Sequence, residues 1–159
     1  MRALILALAF LPTAAFAECH PDTEVFSCRI GKKILEVCHW KGALVYSFGP
    51  AGKPDLTIAE PLETVAYQPW PGVSNSIWDS VTFANEGYSY EVWTSIARDP
   101  EDTSGLQGGV NVLKGETQQA QLTCDDGTAS QPLDVIYGLK EAIGQCWDFD
   151  NHAWTTGCN

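Results

Sequence analysis

Three histidines, twenty carboxylates, six cysteines and six tryptophans are the residues of this 159-residue chain whose chemistry could serve a site. His20 stands beside the first cysteine, His39 within an alternating apolar run, and His152 near the end. No pair of histidines four apart and no Gly-x-Ser-x-Gly turn accompanies them, so each reads as an ordinary surface or packed imidazole. Glu60 with Glu63, Asp125 with Asp126, and Asp148 with Asp150 are of the residue type a glycosidase uses as its acid–base couple. Adjacency in sequence does not set a separation across a cleft, and acids in turns are ordinarily solvated. Asp148-Phe149-Asp150-Asn151 alternates oxygen donors in a way that suits calcium, but it lacks the glycine and distal Glu of a complete calcium loop. Gly105-Leu106-Gln107-Gly108-Gly109 lacks the Lys and the strand-to-helix setting of a phosphate cradle. The expectation is a protein with no catalytic residues, no cofactor and no metal.

The cysteines are Cys19, Cys28, Cys38, Cys124, Cys146 and Cys158, an even set that predicts three disulfides in an exported chain. Zinc at Cys146, His152 and Cys158 is the competing reading. Its spacing is wider than the roughly two to four residues that separate paired ligands in structural zinc sites. Of the pairings open to six cysteines, the expected ones close Cys28 with Cys38 across a hairpin and Cys124 with Cys146 under the C-terminal segment. Export is predicted by residues 1–17: a basic start at Arg2, an apolar stretch over 3–16, and Ala15-Phe16-Ala17 as a cleavage site. That stretch is shorter than the roughly 20 residues of a membrane span and is interrupted by Pro12. A periplasmic or secreted protein over 18–159 follows, with no membrane insertion after cleavage.

The elements that would carry these residues are strands. Period-two apolar patterning marks 25–30, 34–38, 43–48, 56–59, 77–83, 88–96, 110–113 and 120–124, separated by Gly, Pro and Asn turns. Seven or eight short strands predict a mainly β domain, an antiparallel sandwich or small barrel. Residues 67–72, with Pro69 and Pro71, read as a surface loop. Beyond Gly127 the period changes, and Leu133, Ile136, Tyr137, Leu139 and Ile143 predict one short helix stopped at Gly144. The region from about 132 to 159 is then a helical cap with its tail pinned back on the body.

A turn at Glu86-Gly87 sets Ser80 opposite Trp93 and Trp78 opposite Ser95, which makes the two indoles diagonal neighbours on a polar face. They are either covered by another segment or exposed as a stacking platform. Hydrophobic residues make up 45 %, too many for a disordered chain. The formal charge of −11 argues against nucleic acid and against docking on anionic lipid.

Phe26-Ser27-Cys28, Gly31-Lys32-Lys33, Leu44-x-Tyr46-x-Phe48-Gly49 and the 110–124 hairpin resemble a group of small exported bacterial proteins of unassigned function with a Cys-bearing first β-hairpin. A looser resemblance is to the periplasmic inhibitors of c-type lysozyme, in which Ser-Gly-x-x-Tyr and Trp-x-Lys-Gly segments enter the lysozyme cleft. Here Lys114-Gly115 and the following Cys124 match, while Ser104-Gly105 is followed by Gly108 in place of the Tyr, and Val112 stands in place of the Trp. The resemblance implies a non-catalytic partner of a cell-envelope hydrolase. An acidic surface would steer a basic partner onto the chain, with Asp99, Glu101, Asp102, Ser104 and Lys114 as contacts and Trp70 as anchor. The alternatives are a glycan-binding module using Trp78 and Trp93, and a structural envelope protein with no discrete ligand.

Overall fold

Tight turns cut the chain into strands where two successive residues take positive φ. At Glu86-Gly87 the angles are +50° and +81°, and at Lys41-Gly42 they are +49° and +78°. That is the geometry whose twist matches a two-residue hairpin, and glycine supplies the second position without steric cost. In the computed structural model, which describes residues 19–157, the strands fall into three antiparallel sheets. Four strands pair in chain order: β1 (Glu24–Ile30), β2 (Lys33–Trp40), β3 (Ala43–Gly49) and β4 (Leu56–Pro61). Five more do the same: β5 (Ala66–Gln68), β6 (Ser76–Asn85), β7 (Tyr88–Ala97), β8 (Gln107–Lys114) and β9 (Thr117–Thr123). The helix α1 (Val135–Ala142) follows, and then a hairpin of β10 (Gln145–Asp148) and β11 (Ala153–Thr156). All eight expected strands are present. The proposed signal peptide and Cys158 lie outside the described residues.

The two larger sheets pack face to face as an open sandwich. Leu35, Val37, Leu44 and Tyr46 meet Val81, Phe83, Val92 and Val110, all fully buried or nearly so. The Tyr46 ring lies 5.5 Å from both Phe83 and Tyr90. Burying each such side chain is worth about 1.5–3 kcal/mol, which makes this layer the main source of stability. Gly108 sits where a Cβ would meet the Phe26 ring at 2.8 Å, so the missing side chain lets β1 close onto β8.

The free edge of β1 is covered by residues 124–131. Asp125 N–H donates to the Arg29 carbonyl and Ser130 N–H to the Ser27 carbonyl, at 2.7 and 2.9 Å. The Gln131 amide donates to the carbonyls of Glu24 and Val25. An uncovered edge would be a template for pairing with another chain, and this cap removes it.

The expected cystines are corrected: Cys28 is bonded to Cys124 and Cys19 to Cys38. The register explains why. Cys28 stands opposite Leu35, and Cys38 is three residues further along β2, hence on the other face of the sheet. Cys28 therefore points into the sandwich and reaches Cys124, just past the end of β9, while Cys38 points outward to Cys19. Cys146 is also disulfide-bonded, which removes its thiolate as a zinc ligand and replaces the expected bond to Cys124.

Two further differences bear on the site. Tyr67 and Gln68 belong to β5, an edge strand paired with Val81 and Ser80, so the loop begins only at Pro69. The tail is a hairpin with Trp147 paired to Trp154. No helix among the described residues is long and apolar enough to cross a membrane.

Candidate functional site

Buried polar anchors build one end of the five-stranded sheet. Asp79, inward-facing on β6 and nearly inaccessible, accepts the Tyr67 hydroxyl at 2.9 Å and the Trp70 N–H at 3.2 Å, both on Oδ1. Burial raises the Asp79 carboxyl above the ordinary carboxylate range, against the opposing pull of these two donors. Burial and the neighbouring Asp79 push the Tyr67 phenol well up, so it stays a hydroxyl and a donor. The consequence is positional: the chain at Trp70 is tied to the sheet.

Trp70 in turn donates its Nε1–H to the Val73 carbonyl at 2.9 Å and lies 5.2 Å under the Arg98 guanidinium. Arg98 also donates to the Ser74 carbonyl, and its N–H to that of Asn75. Ser74 holds φ +121°, a left-handed conformation that non-glycine residues rarely take. Around this knot lie Val73, 68 % exposed, and the cross-strand pair Ile77 and Ile96, 40 % and 41 % exposed. The two isoleucines have the parity of the inner face but lie beyond the core. The acidic loop follows directly from Arg98. Asp99 accepts the Glu101 N–H and Asp102 the Ser104 N–H, so both are turn-forming acids, and the Ser104 bonds hold the Asp102 carboxyl below its usual range.

The structure thus brings Trp70, Asp99, Glu101, Asp102 and Ser104 to one end. It puts Lys114 at the other end of β8, about 23 Å away along seven residue steps. There its ammonium lies 5.2 Å from the Tyr88 ring. Ser104-Gly105 and Lys114-Gly115 therefore do not share a surface.

Trp78 and Trp93 occupy the outer face of the same sheet in the expected register, with Ser80 opposite Trp93 and Trp78 opposite Ser95. Both are half-buried, and no ring contact joins them among the described residues. Trp93 instead lies across Gly109 on β8, 3.0 Å from where a Cβ would be. One step along this face, an open-sided cavity of about 290 Å³ lies between the sheet and the C-terminal hairpin. Gln68, Ser80, Thr82 and Glu91 line one wall, and Trp147, His152 and Trp154 the other. The sequence reading missed this site, because its walls lie more than fifty residues apart in the chain. Two tryptophans flanking an acid-rich turn were the available signal.

A buried lysine fixes that hairpin. Lys140 on α1 is almost inaccessible, and its Nζ donates to the Leu62 carbonyl at 2.9 Å and to Gln145 Oε1 at 3.1 Å. It also stands 5.3 Å from the Trp154 ring, whose Nε1–H bonds the Tyr67 carbonyl. Desolvation lowers the Lys140 ammonium below its ordinary range, countered in part by Glu63.

Three of the remaining candidate acids bond neighbouring backbone or side-chain donors. Asp125 accepts from Arg29 and the Gly31 N–H, and Glu60 from the Ala84 N–H. Asp148 turns its oxygens onto Asp150 N and onto the backbone and side chain of Asn151, which caps the hairpin turn. No group of three or more potential metal ligands converges among the described residues. No family model, curated protein or solved structure matches this chain.

Proposed function

We propose that this is an exported, non-catalytic binding protein of the periplasm or cell exterior, whose partner is a basic cell-envelope protein such as a wall hydrolase. The observation that carries the reading is the end surface at Trp70. There an anchored Trp–Arg pair, three exposed aliphatic side chains and an acidic loop adjoin one another. Tryptophan and arginine are the residue types that dominate binding hot spots, and an apolar centre with a charged rim is the usual anatomy of a protein interface. Anchoring by Asp79 means little ordering is required when a partner arrives. The acids at the rim speed encounter with a basic surface and reject acidic ones. The disulfides fit the oxidising compartment the reading requires.

A basic c-type lysozyme and the basic hydrolases of an envelope fraction are the probes. Binding is expected at low ionic strength and weakens steeply as salt is raised. Trp70→Ala is expected to raise Kd by about thirtyfold or more. The triple change Asp99→Asn, Glu101→Gln and Asp102→Asn slows association with little effect on dissociation. If no basic hydrolase binds at low salt, or the triple variant associates as fast as the unaltered protein, the reading is wrong.

A further inference from the structure

We propose that the cavity between the outer face of the five-stranded sheet and the C-terminal hairpin is a binding site for a neutral saccharide. It is separate from the Trp70 surface. A sugar ring has an apolar C–H face and a rim of hydroxyls, each both donor and acceptor. The surface that recognises it needs aromatic faces beside short polar groups of both kinds. Trp147, 8 % exposed, and Trp154, which also packs on Tyr67, border the cavity with their indoles, Ser80 and Thr82 supply the hydroxyls, and Glu91 a carboxylate held by the Asn111 amide at 3.0 Å. About 290 Å³ is near the lower end of ligand pockets, enough for one ring with a chain projecting from the open side.

Charge selects against the alternatives. A cationic ligand would be drawn to Glu91 but would also meet the Lys140 ammonium, which stands 5.3 Å from the Trp154 ring. An anionic ligand would meet Glu91, which has no Lys or Arg in ion-pair distance among the described residues. One wall and the strand positions beside it also keep hydrogen-bonding groups that the fold does not use. Trp147 Nε1, Trp93 Nε1 and Asn111 Oδ1 are buried with no partner in the protein. All three belong to the cavity wall or to the strand positions opposite Ser80 and Glu91. Native interiors leave few such groups, and of these three only Trp147 belongs to the cavity lining.

The test titrates the full chain with neutral oligosaccharides built from glucose, mannose, galactose and N-acetylglucosamine. Choline and a uronic-acid oligosaccharide are the charged probes, and calorimetry and tryptophan emission the readouts. At least one neutral saccharide is expected to bind, to shift the emission, and to hold its affinity as ionic strength is raised. Trp147→Ala is expected to abolish binding. Because that change can also loosen the hairpin, Glu91→Gln is the second variant, expected to weaken binding by about ten- to a hundredfold. Trp70→Ala should leave saccharide binding unchanged, which separates this site from the protein-docking surface. No binding by any neutral saccharide overturns the assignment. So does binding that a folded Glu91→Gln variant leaves intact, or tighter binding of a charged probe.

Discussion

The inner and outer faces of the five-stranded sheet come from the same strands, alternating residue by residue, yet they treat their polar groups differently. On the inner face Asp79 is met by Tyr67 and Trp70, and the Thr94 hydroxyl accepts the Leu133 N–H at 3.1 Å, where helix α1 is approached. On the outer face Trp93 Nε1 and Asn111 Oδ1 are buried without a partner in the protein, and Trp147 Nε1 is in the same state across the cavity. An unsatisfied buried group costs about 1–3 kcal/mol. The inner face is thus arranged by the requirements of folding, while the outer face keeps groups that folding would have removed. Substitutions on the first should cost stability, and on the second ligand.

The largest expected effect closes the inner face. Cys28–Cys124 spans 96 residues and Cys19–Cys38 only 19. By the chain-entropy argument, removing the first should cost about 4.5 kcal/mol and removing the second about 3 kcal/mol. Urea unfolding of Cys28→Ala/Cys124→Ala and of Cys19→Ala/Cys38→Ala measures both. Equal losses would mean that the inter-sheet bond adds nothing beyond the first hairpin.

What could be read in the sequence divides along the same line. Period-two patterning found eight strands, and Asn85-Glu86-Gly87 fixed a hairpin register from Asn85–Tyr88 to Ser76–Ala97. Local turn chemistry decides such features. Cystine pairing was out of reach because it depends on which strand faces which across the sandwich, and parity alone shows only that Cys28 and Cys38 cannot meet. β5 was hidden by Pro69 and Pro71, since an edge strand of three residues needs no long pattern. The candidate surface was half visible. Trp70 and the acidic loop do adjoin, but through Arg98 and Asp79, whose roles depend on contacts that no spacing encodes, while Lys114 is carried to the far end by the length of β8. The cavity needed the tail's hairpin to be known first.

A smaller effect tests polar satisfaction on the inner face. Thr94→Val keeps the shape of the side chain and removes the acceptor of the Leu133 N–H. That leaves a buried donor unmet, and the expected loss is about 1–3 kcal/mol in urea unfolding, with saccharide binding unchanged. A neutral result would show that the N–H finds water and that the inner face is wetter than its packing implies.

Asp79 gives a pH-dependent version of the same test. Its folded-state pKa is raised, mainly by burial, so the folded chain holds this proton more tightly than the unfolded chain. Stability from this group is therefore greatest below the ordinary carboxylate range and falls as pH rises through that range towards the raised value. Asp79→Asn keeps an Oδ1 for both Tyr67 and Trp70 but cannot ionise. Its stability relative to the unaltered protein should rise with pH across that window and level off above it. A difference that moves the opposite way would mean the carboxylate is stabilised by its two donors more than it is penalised by burial.

The smallest expected effect lies on the outer face, at Trp93. Trp93→Phe deletes the unpartnered Nε1–H and keeps an aromatic ring beside Gly109. Two terms oppose one another. Losing the outer part of the indole removes apolar contact, worth about 1 kcal/mol at the usual value per unit area. Removing a buried donor with no acceptor returns about the same amount. The net change in unfolding free energy should therefore stay within about 1 kcal/mol, below the cost of the isosteric change at Thr94 across the sheet. Saccharide affinity read on the same variant sharpens the contrast, since a hydroxyl that reaches this donor in the complex makes the change costly to binding alone. Stability that falls as far as in Thr94→Val would show that Nε1 is satisfied by solvent in the free protein, and the difference between the faces would disappear.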